Sequence, residues 1–291
     1  MKAPNFRYVR PTSLAHAYRI LEENGAAAVP VAGGQSLLAG LNMRLSSPAL
    51  LVDIGELKEL ALSSHDDQEI RLGALTRHCE LLRSDLIRSR LPLLADAAAH
   101  VAHWAIRNRG TLGGSLAYAD PAAELPACSV ALEATLVLGS SRGEREVRAE
   151  NFFKGLFETD LRTGELILGV KFPAPARRPA SGFAELARRR GDFAIVGLAA
   201  IARVEQARVE RARLVYFGCV DRAKVARSVS TAVQGLELPL ADDAAFAQAL
   251  TRDLRPDDSA GFRADTKLHL AKVLTRRVLN QLSPEASHVR S

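Results

Sequence analysis

The chain has 291 residues, 47% of them hydrophobic and 25% charged, which is ordinary for a globular protein long enough for two or three packed units. No run approaches the roughly 18 apolar residues of a membrane span, and the first residues lack the apolar block of a signal peptide, so we expect a cytoplasmic protein without a membrane span. The net charge of +6 is spread along the chain and aromatic residues make up only 5%, which disfavours a nucleic-acid-binding surface.

Cysteine and histidine spacing gives no metal signature. Cys79, Cys128 and Cys219 lie far apart and include no Cys-x-x-Cys, so the sequence predicts neither a disulfide framework nor an iron–sulfur or zinc site. His100 and His103 have a spacing that places two side chains on one helical face, but a metal site needs further ligands that converge there. No metal site is therefore predicted.

The first predicted elements alternate between helix and strand. Residues 12–24 begin with capping residues, carry apolar side chains at helical spacing and end at Asn24-Gly25, which predicts a helix. An apolar run at 27–31 predicts a strand that leads into a glycine turn. A helix at 37–45 and a strand at 49–54 follow.

The middle of the chain mixes strands and helices. Glu69 begins a predicted strand, and a hairpin is predicted around the turn at 139–143, between residues 134–138 and 146–147. Pro173–Pro179 is the clearest linker in the chain. The other elements predicted here are helices at about 76–83, 92–101 and 126–132 and a strand at 165–172.

After the linker the pattern changes from strands to helices. The strands are predicted at 182–186, 195–205 and 211–220, in an antiparallel arrangement. Helical spacing then predominates at 231–235, 242–254 and 264–282. Charge runs such as Lys267–Arg277 usually form a solvated helix face rather than a binding stripe.

Two glycine-rich segments are the strongest candidates for ligand binding. The first is Ala32-Gly-Gly-Gln-Ser36, and the second is Arg107–Pro126, which contains three glycines, two small hydroxyl residues, two acids and two prolines. Glycine lets a backbone approach a ligand closely, and the exposed N–H groups of such turns suit anions. The pair predicts that one phosphate-bearing molecule is held from two sides.

Several common nucleotide motifs are missing from both segments. Neither contains the P-loop pattern or Gly-x-Gly-x-x-Gly, so nucleotide hydrolysis and a Rossmann site are disfavoured. Gly33-Gly34 taken alone is equally compatible with a tight turn that binds nothing. Asp120 and Glu124 suit either ribose hydroxyls or a cap for a helix that begins at Pro121. For Asp120 the cap is favoured, and for Glu124 both interpretations stay open.

The two glycine segments, together with Arg189-Arg-Gly-Asp-Phe-Ala194, closely resemble the flavoprotein (medium) subunits of the molybdenum hydroxylases, in the same order along the chain. That family includes carbon monoxide dehydrogenase, the xanthine dehydrogenase family and bacterial N-heterocycle dehydrogenases. The resemblance implies an α+β fold. A PCMH-type (vanillyl-alcohol-oxidase-like) FAD-binding domain at 1–175, with α/β subdomains at about 1–56 and 57–175, would precede a C-terminal domain at 180–291 of a small antiparallel sheet and helices.

The resemblance also implies a noncovalent FAD site. The two glycine segments would hold the pyrophosphate, Glu124 would contact the cofactor, Ile167 would lie near the flavin, and Phe193 would lie close to the isoalloxazine ring or be a core aromatic in a strand. Ser115 and Tyr118 stand where the family commonly has asparagine and histidine, which leaves their hydrogen bonds open. The implied cofactor-binding residues are Ala32, Gly33, Gly34, Gln35, Ser36, Leu37, Thr111, Gly113, Gly114, Ser115, Glu124, Ile167 and Phe193.

The function implied by the resemblance is electron transfer. A large subunit with molybdopterin would hydroxylate the substrate, and a small subunit with two [2Fe-2S] clusters would pass electrons to FAD in this chain and then to an external acceptor such as a quinone, NAD or a cytochrome. These three subunits would form a heterotrimer, with further dimerisation left open. The chain would position FAD and tune its potential, so no acid–base catalytic residue is nominated. The alternatives are a self-contained FAD oxidase or dehydrogenase, and a basic non-enzymatic nucleic-acid-binding or scaffold protein.

Overall fold

A three-stranded parallel sheet at the N-terminus carries the first glycine segment at its edge. The computed structural model describes residues 2–174, 179–259 and 261–283, so part of the predicted linker, residues 175–178, lies outside them. The sheet has the order β1-β3-β2. Because the strands are parallel, their carboxyl ends share one edge, where ligands commonly bind. Its elements are β1 (Arg7–Val9), α1 (Leu14–Asn24), β2 (Ala28–Val31), α2 (Leu37–Asn42) and β3 (Leu50–Asp53).

Helix α1 shows why this part of the sequence folds as predicted. The Ser13 hydroxyl accepts a hydrogen bond from the His16 N–H and caps the helix, and Gly25, with φ of 52°, ends it. Ala17, Ile20 and Leu21 recur on one face and are buried beneath the sheet's own apolar residues.

A five-stranded antiparallel sheet follows, in the order β4-β5-β10-β6-β7. Its strands are β4 (Ser64–His65), β5 (Glu69–Gly73), β6 (Thr135–Ser140), β7 (Gly143–Arg148) and β10 (Leu166–Pro173), and a separate two-stranded pair consists of β8 (Phe153–Gly155) and β9 (Glu158–Thr159). The helices of this region are α3 (His78–Arg83), α4 (Asp85–Arg90), α5 (Pro92–His100), α6 (Trp104–Arg107), α7 (Leu112–Tyr118), α8 (Glu124–Ala131) and α9 (Ala149–Phe152).

The C-terminal region is a four-stranded antiparallel sheet covered by helices. Helix α12 buries Ala271, Leu274 and Val278 in the same apolar cluster as the sheet residues. The basic helix is not solvated throughout, because Lys267 is buried and donates to the Asp257 carbonyl at 2.9 Å and to Ser259 Oγ at 2.6 Å. The elements are β11 (Ala180–Leu186), β12 (Val196–Glu205), β13 (Arg208–Phe217), β14 (Lys224–Val225), α10 (Arg227–Ala232), α11 (Ala244–Asp253) and α12 (Ala264–Gln281).

Helix α8 joins the two large sheets. Every residue of α8 after Glu124 is buried, since the helix packs against strands β12 and β13 of the C-terminal sheet as well as its own region. Arg213 of β13 donates to the Val130 carbonyl at 2.9 Å and to Glu150 at 2.7 Å, and the Gly218 N–H donates to the Pro121 carbonyl at 2.8 Å. These polar contacts fix the C-terminal sheet against the segment that contains the second glycine loop.

The α+β architecture implied by the resemblance, with a small antiparallel sheet and helices in the C-terminal region, is confirmed. In the parts of the chain that the structure describes, no helix is long and apolar enough to cross a membrane. One local prediction is wrong: Asp120 does not cap a helix at Pro121, because α8 begins at Glu124 with Ala123 as its N-cap. Asp120 instead accepts the Ala122 N–H at 2.9 Å in a turn.

Candidate functional site

The first glycine loop, residues 32–37, presents a run of free backbone donors. None of its N–H groups donates a hydrogen bond to any residue in the described ranges. Gly34 has φ of 73°, a left-handed conformation that turns the chain and is open to glycine. The Gln35 side chain folds back and donates to the Gly33 carbonyl at 2.9 Å, so it braces the loop. Consecutive N–H groups around a left-handed residue form the kind of concavity that binds phosphates.

The second glycine segment lies directly against this loop. A Cβ added to Gly33 would overlap the Arg109 carbonyl oxygen and lie 2.8 Å from its carbonyl carbon and 3.0 Å from Gly110 Cα. Backbone therefore meets backbone, and no side chain fits between the two segments. The structure thus brings together the two segments that the sequence predicted to hold one ligand.

Much of the second segment is helical rather than open loop. Thr111 is the N-cap of α7, and its hydroxyl accepts the Gly114 N–H at 3.1 Å. The N–H groups of Leu112, Gly113 and Ser115 donate to the carbonyls of Thr76, Ala74 and Thr111 at 2.8–3.0 Å. These four N–H groups are therefore already paired inside the protein, and the long run of consecutive free backbone donors belongs to the first loop.

The glycines of α7 serve close packing. A Cβ on Gly113 would lie 2.6 Å from Ala74 Cβ and 2.9 Å from the Ala74 oxygen, so the helix start rests on the chain just after β5. The Ala74 N–H in turn donates to the Leu168 carbonyl at 3.0 Å. Ile167 precedes it on β10, only 5% exposed, and faces Leu138 across the sheet. Ile167 therefore lies in the hydrophobic core, in the same apolar cluster as Ala74 and Leu112 at the start of α7.

Phe193 lies at the surface. It is 74% exposed and precedes β12, so the alternative interpretation of a core aromatic in a strand is wrong. Gly191, two residues earlier, has φ of 85°, and a Cβ there would lie 2.7 Å from the Ala102 oxygen. The segment Arg189–Ala194 therefore packs on the turn around Ala102, which precedes the second glycine segment.

Arg107 holds that turn, a role that the sequence analysis missed. The residue is only 8% exposed, and its guanidinium donates to the carbonyls of Val101 at 2.8 Å and Ala102 at 3.0 Å. It also lies over the Trp104 ring, 4.7 Å from the centroid. Arg107 therefore links the second glycine segment to the Gly191 turn through Ala102.

His78 is a second residue that the sequence analysis missed. It is buried next to Gly110, where an added Cβ would lie 2.9 Å from the His78 Nδ1. Neither ring nitrogen forms a hydrogen bond of normal geometry among the described residues, and the nearby Thr111 backbone only partly opposes the effect of burial on the pKa. Burial lowers the pKa of His78 to about 4, and the nearby charges of Arg107 and Arg77 act in the same direction. A neutral imidazole thus packs against Gly110 and supports the second glycine segment from within the protein.

This buried histidine makes stability depend on pH. Its folded pKa of about 4 lies below the ordinary value of 6.5, so the unfolded chain binds the proton more readily. The stability that His78 contributes is complete above pH 6.5 and is lost as the pH falls toward 4. We expect this group alone to lower the free energy of unfolding by about 2 kcal/mol between pH 7 and pH 5.

Urea unfolding at pH 7 and pH 5 checks this expectation with two variants. His78→Leu removes the titrating group and should show a smaller loss of stability between the two pH values than the wild type. His65→Leu, at an exposed histidine, is the control and should follow the wild type. An equal loss in His78→Leu and wild type would contradict the assignment.

Glu124 is the remaining predicted site residue. It opens α8 and is partly buried. Burial raises the pKa of its carboxyl to about 8, and the negative charge of Glu185 adds to the effect. The structure therefore gives Glu124 an electrostatic neighbour from the C-terminal sheet.

Tyr118 packs edge-on against Phe157, with ring centroids 5.3 Å apart.

Comparison with known proteins covers nearly the whole chain. Residues 4–175 match the family model described as the FAD binding domain in molybdopterin dehydrogenase, and residues 181–282 match that of the CO dehydrogenase flavoprotein C-terminal domain. The chain is 40% identical to the 6-hydroxypseudooxynicotine dehydrogenase complex subunit alpha of Paenarthrobacter nicotinovorans, over 96% of this chain and 95% of that protein. It is 32% identical to the carbon monoxide dehydrogenase medium chain of Hydrogenophaga pseudoflava, over 96% and 98% of the two chains.

Solved structures show the same similarity in three dimensions. A carbon monoxide dehydrogenase structure from Hydrogenophaga pseudoflava superposes with a TM-score of 0.92 at 33% identity, covering 96% of this chain and 98% of that one. Quinoline 2-oxidoreductase from Pseudomonas putida 86 superposes with a TM-score of 0.90 at 38% identity, covering 97% and 98%.

Proposed function

The chain belongs to the FAD-binding medium subunits of the molybdenum hydroxylases, and from that membership we propose that it carries electrons from [2Fe-2S] clusters of a partner subunit through FAD to an external acceptor. It is thus the flavoprotein component of an oxidoreductase. The observation that carries the proposal is the run of unpaired N–H groups at 32–37, closed on one side by the backbone of Arg109 and Gly110.

The residues present fit an FAD diphosphate. Phosphate oxygens need several donors at short range, and the first glycine loop offers consecutive ones that nothing else in the described chain uses. Gly33 lets the second segment close against that loop, and within that segment the partly buried Ser115 on α7 carries a further hydroxyl. We assign the FAD domain to residues 1–175 and the C-terminal domain to 180–291.

We assign the flavin end to the side where Phe193 lies. The exposed aromatic ring follows Gly191, which is fixed on Ala102, and Arg107 fixes Ala102 to the second segment. An exposed aromatic side chain next to a cofactor cleft can cover a flat ring system. When bound, FAD supplies the ability to exchange electrons singly with a cluster and in pairs with an organic acceptor.

The iron and molybdenum centres belong to other subunits in this proposal. A cysteine-ligated [2Fe-2S] cluster takes four thiolates, whereas this chain has three cysteines, of which Cys128 and Cys219 are buried. The relatives are themselves described as a subunit of a complex and as a medium chain. We therefore propose a heterotrimer with a small iron–sulfur subunit and a large molybdopterin subunit, acting in the cytoplasm.

Purification of the tagged chain from its native host tests this division of labour. We expect a yellow complex of three subunits with stoichiometric FAD, molybdenum and iron, whose FAD is released by acid precipitation because no covalent bond holds it. The same chain produced alone should be yellow but free of both metals. Recovery from the host as a lone, active, metal-free flavoenzyme would instead support the self-contained oxidase or dehydrogenase, and a colourless DNA-binding protein would support the basic scaffold.

A further inference from the structure

A positively charged side chain lies where the two glycine segments meet. The Arg77 guanidinium donates through Nη1 to the carbonyl oxygen of Arg109. That same oxygen is the atom that a Cβ on Gly33 would overlap. One carbonyl oxygen of the second segment therefore contacts both the guanidinium and the first glycine loop. The charge of Arg77 thus stands one carbonyl group away from Gly33.

Backbone pairing fixes the side on which the Arg77 side chain stands. Arg77 pairs with Thr111 in an isolated antiparallel bridge, flanked on each side by one backbone hydrogen bond of 2.9–3.1 Å. Residues directly opposite each other in an antiparallel pair place their side chains on one face, and the next residue along the chain points to the other face. His78 is accordingly buried in the protein, while Arg77 shares a face with Thr111, the N-cap of α7.

The charge of Arg77 is not neutralised by the described part of the chain. No carboxylate there forms an ion pair with the guanidinium, and only one of its five N–H groups has a partner. Glu80, the first acid of α3, instead accepts the Arg77 backbone N–H through Oε2 at 2.6 Å. A half-buried guanidinium that is fixed by a backbone carbonyl and has no anion suits a phosphate, whose oxygens match its fork of donors.

The arginines of the second segment itself are placed differently. Arg107 is buried and donates to the carbonyls of Val101 and Ala102 at 2.8 Å and 3.0 Å, so its guanidinium serves the fold. The Arg109 side chain is exposed, and it is the backbone carbonyl of this residue that takes part in the contact with Gly33. Neither glycine segment contains the lysine with which a P-loop offsets phosphate charge.

We propose that Arg77 is the cation of the FAD diphosphate site. One of its N–H groups holds the Arg109 carbonyl against the first glycine loop, and the others bind phosphate oxygens. The assignment rests on the proposed function, and it adds to the site a residue outside both glycine segments. The first loop supplies neutral N–H donors, and Arg77 supplies the positive charge that offsets the charge of the diphosphate.

Titration of the full-length apoprotein with FAD at low and at high salt tests this assignment. We expect Arg77→Gln to bind FAD at least about tenfold more weakly at low salt, because a charged hydrogen-bond donor to phosphate is lost. Raising the salt should weaken binding more in the wild type than in Arg77→Gln, since salt screens an ion pair, so the difference between them narrows. Arg77→Lys keeps the charge and should keep most of the affinity and of the salt dependence.

Arg109→Gln is the matched control. It removes an equal charge from an exposed side chain and leaves the backbone carbonyl at this position in place. Its loss of affinity should be clearly smaller than that of Arg77→Gln. An equal loss in the two variants would assign the effect to the general positive charge of the region. A loss in Arg77→Gln that is the same at low and high salt would assign Arg77 to the fold, and either result would overturn the proposal.

Circular dichroism and thermal unfolding of each apoprotein establish that it is folded. Arg77→Met carries the same test if Arg77→Gln does not fold, and failure of both to fold would assign Arg77 to the fold and contradict the proposal. Wild-type affinity in a folded Arg77→Gln would overturn the assignment of Arg77 alone. A wild-type chain that binds no FAD would overturn the proposed function, and the assignment of Arg77 with it.

Discussion

Replacing Gly33 with alanine is expected to yield a folded protein that no longer retains FAD. The added methyl group would overlap the Arg109 carbonyl oxygen and lie 2.8 Å from the carbonyl carbon. Both are backbone atoms, so no change of side-chain rotamer relieves the overlap, and the two glycine segments must move apart. Overpacking of this kind costs about 1–3 kcal/mol, which corresponds to roughly 5- to 150-fold weaker binding if the cost falls on the cofactor site.

The measurement is the ratio of flavin absorbance to protein after gel filtration, followed by titration of the apoprotein with FAD. Gly40→Ala is the matched control, because Gly40 lies on α2 of the same region and an added Cβ meets nothing within 4 Å. It should bind FAD like the wild type. Substitution of Gly114 is a milder test, since a Cβ there meets only the Thr111 side chain within 4 Å. Unchanged FAD affinity in Gly33→Ala would show that the contact between the two segments serves only the fold and does not shape the FAD site.

The sequence located the two glycine segments, but it did not show which of their backbone N–H donors are free. Glycine content alone predicted exposed N–H groups in both segments. In the second segment, Thr111 caps a helix that runs through Gly113 and Gly114, although glycine disfavours helices. The helix forms there because Gly113 packs on Ala74 and donates to its carbonyl, a contact between residues 39 positions apart. No local pattern encodes such a contact.

Elements with a clear period were predicted well, and short or fully buried ones were not. Helix α1 has an amphipathic face and a cap at each end, and it was found with both limits. Strand β1 spans three residues, too few for any period to show. Helix α8 is apolar on all sides because two regions of the molecule cover it, so its apolar spacing could not set its first residue, and the cap was misplaced at Asp120.

The contact between Arg107 and Ala102 was equally invisible in the sequence, and it gives the second prediction. Arg107→Met keeps an unbranched side chain over Trp104 but leaves the Val101 and Ala102 carbonyls without their donor. Loss of a buried charged group that pairs with backbone carbonyls typically costs about 3 kcal/mol. We expect the free energy of unfolding to fall by that amount, and the Gly191 turn that rests on Ala102 to loosen.

Urea unfolding measures the first effect, and the rate of trypsin cleavage after the exposed Arg189 and Arg190, next to Gly191, measures the second. Arg83→Met is the matched control, because the exposed Arg83 lies over the same Trp104 ring at 5.7 Å. That variant should change stability by less than about 0.5 kcal/mol, as exposed substitutions usually do, and leave cleavage unchanged. Since Phe193 follows the same turn, a loosened Gly191 in Arg107→Met should also raise the rate of FAD dissociation. Equal stability and equal cleavage in the two variants would mean that the hydrogen bonds from Arg107 to the backbone carbonyls do not hold the segment Arg189–Ala194 against the second glycine segment.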